Sequence, residues 1–307
     1  MRIIGHQKQW EFLKNAYSNN SLSHAYFFSG PDQIGKKTLA FEFIKMINCQ
    51  EECFEKKPCN ICSSCRMIDR LAHPDFMFVG LEEEKTEIEV RQVRNLIDRL
   101  SLKPFSANYK IGLIDDAHLM NIQAQNCLLK TLEEPRGDTV LVLISSHQEI
   151  LLETVLSRVQ EISFSLVSER DIKESLVGRK LNKEDMDKIL RFSFGKPGRI
   201  IELLQKSSRL AEEKKTEKGL ADILRFDLAA RFDRAETLAN NYSPEVLEIW
   251  LRYLRTALLE KIEKRENVAK TKKNIENLEE AIFSINNFPV NKRLVLENLM
   301  INLESGE

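Results

Sequence analysis

The sequence predicts an α/β domain with a parallel sheet, followed by two helical regions. Five short apolar runs indicate strands, and the segments between them have apolar residues at helical spacing. Such alternation is typical of a parallel sheet with helices on its faces. After residue 164 no further strand pattern occurs. We therefore expect a sheet domain over residues 1–165, a small helical domain over 166–207 and an all-helical domain over 208–307.

The predicted strands are short, apolar and bounded by turn-forming residues. In chain order they cover residues 24–29, 75–79, 110–115, 139–144 and 160–164. The clearest helices between them are predicted from apolar residues three and four positions apart. They cover residues 36–48, 90–102 and 122–133, and the last is stopped by Pro135.

Composition and charge narrow the function classes. The 307 residues are 30% charged and carry a net charge of −1, so no overall field draws the chain onto nucleic acid and any such contact must be local. No run of 18 apolar residues occurs, so we expect no membrane span. The first residues do not resemble a signal peptide, so we expect a cytoplasmic protein. Clustered cysteines in that compartment are more often metal ligands than disulfides.

Five of the six cysteines lie between positions 49 and 65. Zinc in structural sites takes four thiolate or imidazole ligands, and Cys-x-x-Cys spacing lets two ligands share one turn. Cys59, Cys62 and Cys65 supply three, and Cys49, at the end of a predicted helix, is the preferred fourth, with Cys53 as the alternative. Four protein ligands indicate a structural ion. An iron–sulfur cluster is one alternative, but the sequence lacks the close fourth cysteine followed by proline that is typical of such a site. Cysteines without any metal ion are a further alternative.

A phosphate-loop pattern, Gly30-x4-Gly35-Lys36, follows the first predicted strand and opens a helix. Backbone N–H groups and the helix N-terminus bind phosphate in this context, and Lys36 would reach the outer phosphates. The full motif continues with Ser or Thr, which holds Mg²⁺, but here Lys37 follows. Thr38 lies one residue later, which turns its side chain by about 100°. We expect a nucleotide site by ancestry without ATP hydrolysis; the alternative is a turn that only joins strand to helix.

Two acids follow the third predicted strand. Asp115 has the position from which a carboxylate orients Mg²⁺ or its waters. Asp116 has the position at which related ATPases usually carry Glu, which prepares the attacking water, and it is one methylene shorter. The departures at Lys37 and Asp116 both predict weak or absent hydrolysis. The alternative interpretation of these acids is a solvated strand end.

Arg158 lies directly before the fifth predicted strand. A guanidinium at a domain edge can reach a phosphate that an adjacent subunit binds, and its planar shape suits that task. Taken alone, a surface salt bridge is the simpler interpretation of this residue.

Together these residues resemble the delta-prime family of subunits in the bacterial DNA polymerase III clamp loader. The resemblance covers the first 165 residues and includes the altered phosphate loop and the cysteine module. Ser157-Arg158-Val159 is similar to the family's Ser-Arg-Cys element, with valine in place of cysteine. Further segments that carry the resemblance are Ile4-Gly-His-Gln7, His24-Ala-Tyr26, Ala72-His-Pro-Asp75, Ile114-Asp-Asp-Ala117, the stretch 125–135 and Gly195-Lys-Pro-Gly-Arg199.

The resemblance implies an AAA+ fold over 1–165 with a zinc module at 49–65, a helical lid over 166–207 and an oligomerising helical collar over 208–307. It implies that this chain does not drive the motor and that Arg158 acts as an arginine finger on ATP bound by the adjacent subunit. The implied partners are the motor (gamma/tau) and delta subunits and, through the complex, the sliding clamp and primer–template DNA. The implied degenerate nucleotide site consists of Gly30, Gly35, Lys36, Thr38, Asp115 and Arg199.

Two other functions remain open from the sequence. One is the gamma/tau motor subunit of the same loader, a true ATPase that shares the cysteine module; Lys37 and Asp116 argue against it. The other is a stand-alone zinc-containing DNA-binding protein, which predicts a basic face and salt-dependent DNA affinity. The near-zero net charge disfavours this second alternative.

Overall fold

The computed structural model describes residues 3–135, 137–177, 186, 189–190, 193–205, 215–216, 218–288 and 290–304. The chain divides into two compact units, residues 1–202 and 203–307. The expected lid, residues 166–207, extends across this division, and the three-domain organisation stays a prediction. Each unit has its own core and is described by itself.

The first unit is built on a five-stranded, all-parallel sheet, which confirms the predicted fold class. The strand order is β2-β3-β4-β1-β5. The strands are β1 (Ala25–Ser29), β2 (Phe76–Val79), β3 (Lys110–Ile114), β4 (Thr139–Ser145) and β5 (Gln160–Ser163). The helices are α1 (Gln7–Ser18), α2 (Lys36–Asn48), α3 (Ser63–Asp69), α4 (Val90–Leu100), α5 (Ile122–Glu133), α6 (Glu153–Leu156) and α7 (Glu169–Leu176); α8 (Pro197–Gln205) spans the division between the units.

Helix α4 ends two residues before the predicted boundary at Leu102. The last α-helical bond beyond it joins the N–H of Ser101 to the carbonyl of Ile97, and the N–H of Leu102 turns to Arg99. Pro104 explains the early end, because proline disfavours helical conformation at the residue before it.

Both faces of the sheet are covered by helices. In β1, Tyr26 and Phe28 pack on one face and Ala25 and Phe27 on the other, and all four are fully buried. The helices contribute Leu13, Phe43 and Ile68 to the first face and Leu96 and Leu128 to the second. Two-sided burial makes the strands continuous apolar runs, which is the pattern that predicted them.

Buried Asp75 fixes the connection between α4 and β3. Its carboxylate accepts the backbone N–H groups of Phe105 and Ser106 at 2.7 Å and of Ala107 at 3.0 Å. Burial acts to raise the pKa of Asp75, but these donors and the charge of Lys110 outweigh it and lower the pKa. The carboxylate therefore stays ionised and holds the loop in one conformation.

The second unit is helical in its described residues, as predicted. Its helices are α9 (Leu228–Asn240), α10 (Pro244–Glu263), α11 (Ala269–Asn287) and α12 (Lys292–Asn302). They pack around buried Trp250. Buried Arg231 donates to the carbonyls of Met300 at 3.0 Å and Leu303 at 2.6 Å, which ties α9 to the end of α12. In the part of the chain that the structure describes, no helix has the length and apolar character needed to cross a membrane.

We predict that His73 makes the fold sensitive to acid. Its ring is buried, its Nδ1 accepts the Asp75 N–H at 3.1 Å, and burial lowers its pKa below the usual 6.5. The unfolded chain therefore binds more protons, so the free energy of unfolding falls as pH decreases from about 6.5 towards the folded-state pKa. Urea unfolding at pH 7 and at lower pH should show a smaller loss of stability for His73→Asn than for the unchanged chain.

The control for this prediction is His147→Asn, because the His147 side chain is 51% exposed. This variant should lose as much stability with acid as the unchanged chain. An equal loss in His73→Asn would contradict the assignment to His73.

Candidate functional site

The loop between β1 and α2 has the geometry of a phosphate-binding turn. Gly30 has φ 134°, and a Cβ there would lie 2.2 Å from the carbonyl oxygen of Phe164, so only glycine fits. Gly35 has φ 104° and precedes the first turn of α2, which contains no acidic residue. The first N–H groups of a helix have no partner within the helix, so this turn is suited to an anion.

Lys36 is folded back onto the loop in this structure. Its side chain is buried, and Nζ donates to the carbonyl of Gly30 and, at 2.7 Å, to that of Pro31. Burial lowers the pKa of Lys36 although the nearby Asp32 and Asp116 act to raise it. The ammonium must leave these carbonyls before it can reach a phosphate.

Lys37, which replaces the hydroxyl residue of the full motif, is bound to Asp115. Its Nζ lies 2.7 Å from Asp115 Oδ2 and 4.8 Å from the centre of the Phe78 ring. Mg²⁺ requires oxygen ligands around it, but here an ammonium is paired with the carboxylate expected to orient the ion. The residues present therefore do not fit Mg²⁺. We did not predict this ion pair from the sequence. The sequence does contain a signal for it, because a second lysine follows Lys36 and an acidic residue follows a predicted strand.

Asp116 and His118 lie beside this pair. Burial, and then the charge of Asp115, raises the pKa of Asp116. The His118 Nδ1 is hydrogen-bonded to Ser145 Oγ at 3.1 Å, and burial lowers the pKa of His118. Both shifts favour the uncharged form of the side chain.

A cavity of about 610 Å³ opens at this loop. Four of the predicted nucleotide-site residues line it: Gly35, Lys36, Thr38 and Asp115. Gly30 lines a second cavity, and Arg199, which is buried, is not among the described residues that line the first. His6, whose Nε2 lies 2.7 Å from the carbonyl oxygen of Ile34, also lines the first cavity, and its role there was not predicted.

The cysteine module brings four thiols together. The Sγ atoms of Cys49, Cys59, Cys62 and Cys65 all lie within 4.8 Å of one another. A tetrahedral zinc ion with Zn–S distances of about 2.3 Å would place its sulfurs about 3.8 Å apart, so this donor set fits the ion. Cys53 is exposed and lies outside the group. The structure thus gathers the preferred set of ligands and leaves the alternative one apart.

Backbone N–H groups point at three of these sulfurs. The N–H of Cys59 donates to Cys49 Sγ at 3.4 Å, that of Cys62 to Cys59 Sγ at 3.3 Å, and that of Cys65 to Cys62 Sγ at 3.4 Å. Burial acts to raise the pKa of Cys62, but the Cys65 N–H and other donors lower it to about 7. Donation to sulfur stabilises the thiolate, which is the form that binds metal.

The module is attached to α2 by a buried lysine that was not predicted. Lys45 is 2% exposed, and its Nζ lies 2.7 Å from Glu42, 2.6 Å from Asn60 Oδ1 and 3.1 Å from Asp69. These contacts join α2 to the loop before α3 and to the end of α3. The signal in the sequence was a charged residue among the apolar positions of a predicted helix, which indicates a buried ion pair.

Arg158 lies in the turn between α6 and β5, at the edge of the first unit. Its NH1 donates to the carbonyl of Thr154 at 2.9 Å and to Ser157 Oγ at 3.1 Å, and its NH2 lies 2.8 Å from Glu133 Oε1. The side chain is 36% exposed. The guanidinium is therefore oriented by its own turn and by the end of α5, while part of it faces solvent.

A family model described as DNA polymerase III, delta subunit, matches residues 5–168, slightly more than half of the 307 residues. This chain belongs to that family. Among solved structures, a DNA polymerase III gamma subunit-related protein from Thermotoga maritima has a TM-score of 0.50 at 18% identity, covering 95% of this chain and 97% of that one. At such low identity the likeness concerns the fold alone, and it agrees with the predicted AAA+ architecture.

Curated relatives of this clamp-loader family member include two kinds of subunit. DNA polymerase III subunit tau of Bacillus subtilis is 32% identical over 181 residues, or 59% of this chain and 31% of the relative. Subunit delta' of Pseudomonas aeruginosa is 39% identical over 136 residues, or 44% of this chain and 41% of the relative. The chain thus spans between about a third and two fifths of these relatives' length. The matches confirm a clamp-loader AAA+ protein and leave the kind of subunit open.

We predict that Cys62→Ser empties the thiolate cluster. A hydroxyl is a poor replacement for a thiolate on a soft ligand set, so bound metal should fall from about one ion per chain to near zero. The melting temperature should drop by at least about 4 °C, as expected for loss of a structural metal. Metal analysis by mass spectrometry and a thermal melt would measure both.

The matched control is Cys53→Ser, which changes the exposed cysteine outside the cluster. It should keep both the metal and the melting temperature. Unaltered metal content in Cys62→Ser would show that the ligand assignment is wrong.

Proposed function

We propose that this chain is a delta-prime-type, non-motor subunit of the DNA polymerase III clamp loader. The observation that carries this proposal is the ion pair between Lys37 and Asp115, which stands where a motor subunit needs a metal ion. Without that ion the charge on the outer phosphates is not neutralised for transfer. Asp116 is also one methylene shorter than the glutamate that usually prepares the attacking water in related ATPases, so its carboxylate reaches less far. The chain therefore does not hydrolyse ATP.

Arg158 is the residue that we propose acts on the neighbouring subunit. Its guanidinium lies in a turn at the unit's edge, oriented by Thr154 and Ser157 and partly open to solvent. An arginine in such a position can stabilise negative charge on a phosphate that another subunit binds. Because its ion pair with Glu133 is half exposed, it contributes about 0–1 kcal/mol and a bound phosphate can replace it.

The remaining parts follow from this assignment. We propose that the four thiolates hold a structural zinc ion, that residues 166–207 form the lid, and that residues 208–307 form the collar through which subunits assemble. The partners are then the gamma/tau motor and delta subunits in the cytoplasm. The sliding clamp and primer–template DNA are reached through the complex.

The gamma/tau motor is the alternative that the comparisons favour equally, because a tau subunit is 32% identical over 181 residues. It predicts that the isolated chain binds and hydrolyses ATP, at the rates of about 1 s⁻¹ or more typical of enzymes. Our proposal predicts no turnover above background. An ATPase assay of the purified chain therefore separates the two functions.

We predict that Arg158→Ala lowers the DNA-stimulated ATPase of the reconstituted loader without disturbing assembly. An arginine finger contributes about 10³-fold or more to turnover at its site. The ATPase rate of the complex should therefore fall by the contribution of the one motor subunit that Arg158 contacts. Steady-state ATPase and gel filtration of the complex would measure the two properties.

Arg170→Ala is the control, since this arginine is 87% exposed and pairs with Glu174 across one helical turn. The control complex should hydrolyse ATP normally. Normal ATPase in the Arg158→Ala complex would refute the role proposed for Arg158.

A further inference from the structure

An ammonium stands in the cavity where related ATPases hold a divalent cation. The hydroxyl after the loop lysine and the carboxylate at the strand end are the side chains that position Mg²⁺ in those enzymes. Here the hydroxyl position is Lys37, and its Nζ lies 2.7 Å from the carboxylate of Asp115. The Phe78 ring, with its centre 4.8 Å from the same Nζ, provides a second favourable contact for the charge.

We propose that this cavity binds a nucleoside polyphosphate without a divalent cation, and that Lys37 supplies the positive charge that Mg²⁺ supplies in the motor subunits. The inference goes beyond the proposed function, because it concerns this chain's own cavity and not the nucleotide of a neighbour. It requires no hydrolysis.

The groups that bind phosphate directly are retained. The loop keeps Gly30 and Gly35, each at positive φ, and leads into the first turn of the 13-residue helix α2. Lys36 lines the cavity and is held by the loop carbonyls, from which it can turn to an anion. The only element of a phosphate loop that is changed is therefore the one that holds the metal ion.

The side chains also oppose a metal ion in this cavity. To coordinate Asp115, Mg²⁺ would have to displace the Lys37 ammonium from that carboxylate. Thr38 does line the cavity, but it stands one position later on α2, turned by about 100° from the place of the usual hydroxyl ligand. A cation in that position would meet repulsion from the Lys37 ammonium and would lack its normal pair of oxygen ligands.

Lys37 is able to exchange Asp115 for a phosphate. Its side chain is 53% exposed, whereas that of Asp115 is 14% exposed, so the lysine is the mobile partner. Lys36 and Lys37 would then both face the anion from the first turn of α2. An ammonium carries one charge where Mg²⁺ carries two, so a diphosphate is better matched than a triphosphate, and ADP is the suitable probe.

The test measures ADP binding to the purified full chain by isothermal titration calorimetry, in excess Mg²⁺ and in EDTA. The two dissociation constants should agree within about threefold, which is less than 1 kcal/mol. Binding that is tenfold tighter with Mg²⁺ would overturn the proposal. Failure to bind ADP at millimolar concentration in either buffer would overturn it as well. This comparison needs no variant and is independent of folding defects.

Lys37→Thr tests the role of the lysine itself. It restores the hydroxyl after Lys36 and frees Asp115, so ADP binding should become at least about fivefold tighter with Mg²⁺ than with EDTA. ADP binding that stays independent of Mg²⁺ in Lys37→Thr would refute the role of Lys37.

The matched control is Lys85→Thr, which removes an exposed lysine that pairs with Glu89 in the loop before α4. It should behave as the unchanged chain, and thermal melts of both variants would confirm that they fold. The outcome is separable from the Arg158→Ala result, because the calorimetry uses the isolated chain whereas that ATPase assay uses the neighbouring subunit's nucleotide.

Discussion

The single direction of all five strands is the constraint on which the candidate site depends. Because the strands are parallel, their carboxyl ends lie at one edge of the sheet, where binding sites of such sheets form. The phosphate loop leaves β1 at this edge, Asp115 follows β3 there, and Ser145 ends β4 between them. Reversing one strand would separate these groups, since its end would move to the opposite edge.

The ion pair of Lys37 with Asp115 follows from this arrangement. Lys37 belongs to the first turn of α2, and Asp115 directly follows β3. The two are 78 positions apart in sequence and meet because α2 begins at the edge of the sheet where β3 ends. Phe78 belongs to β2, the neighbour of β3, so the Lys37 ammonium contacts one residue from β2 and one that follows β3. The change of a single residue type thus puts an ammonium beside the carboxylate that orients a metal ion in related ATPases.

The strands were predictable because both sheet faces are buried, which leaves continuous apolar runs such as that of β1 in the sequence. The cysteine spacing likewise predicted which thiols meet, since three of them lie within seven residues. The partner of Arg158 was not predictable in this way. Glu133 and Arg158 are 25 positions apart and lie on different elements, so their contact depends on tertiary packing that periodicity does not encode.

Lys37, Lys45 and Arg158 each pair with a carboxylate, but their side chains differ in exposure to solvent. Lys45 is 2% exposed, and breaking a pair so buried costs about 3–5 kcal/mol, which makes its contacts a permanent part of the scaffold. Lys37 and Arg158 are 53% and 36% exposed, and such pairs contribute only about 0–1 kcal/mol. A phosphate can compete with the carboxylate in both of these pairs. The two lysines and the arginine therefore differ in how readily an anion can displace their carboxylate partners, because water reaches the three pairs to different extents.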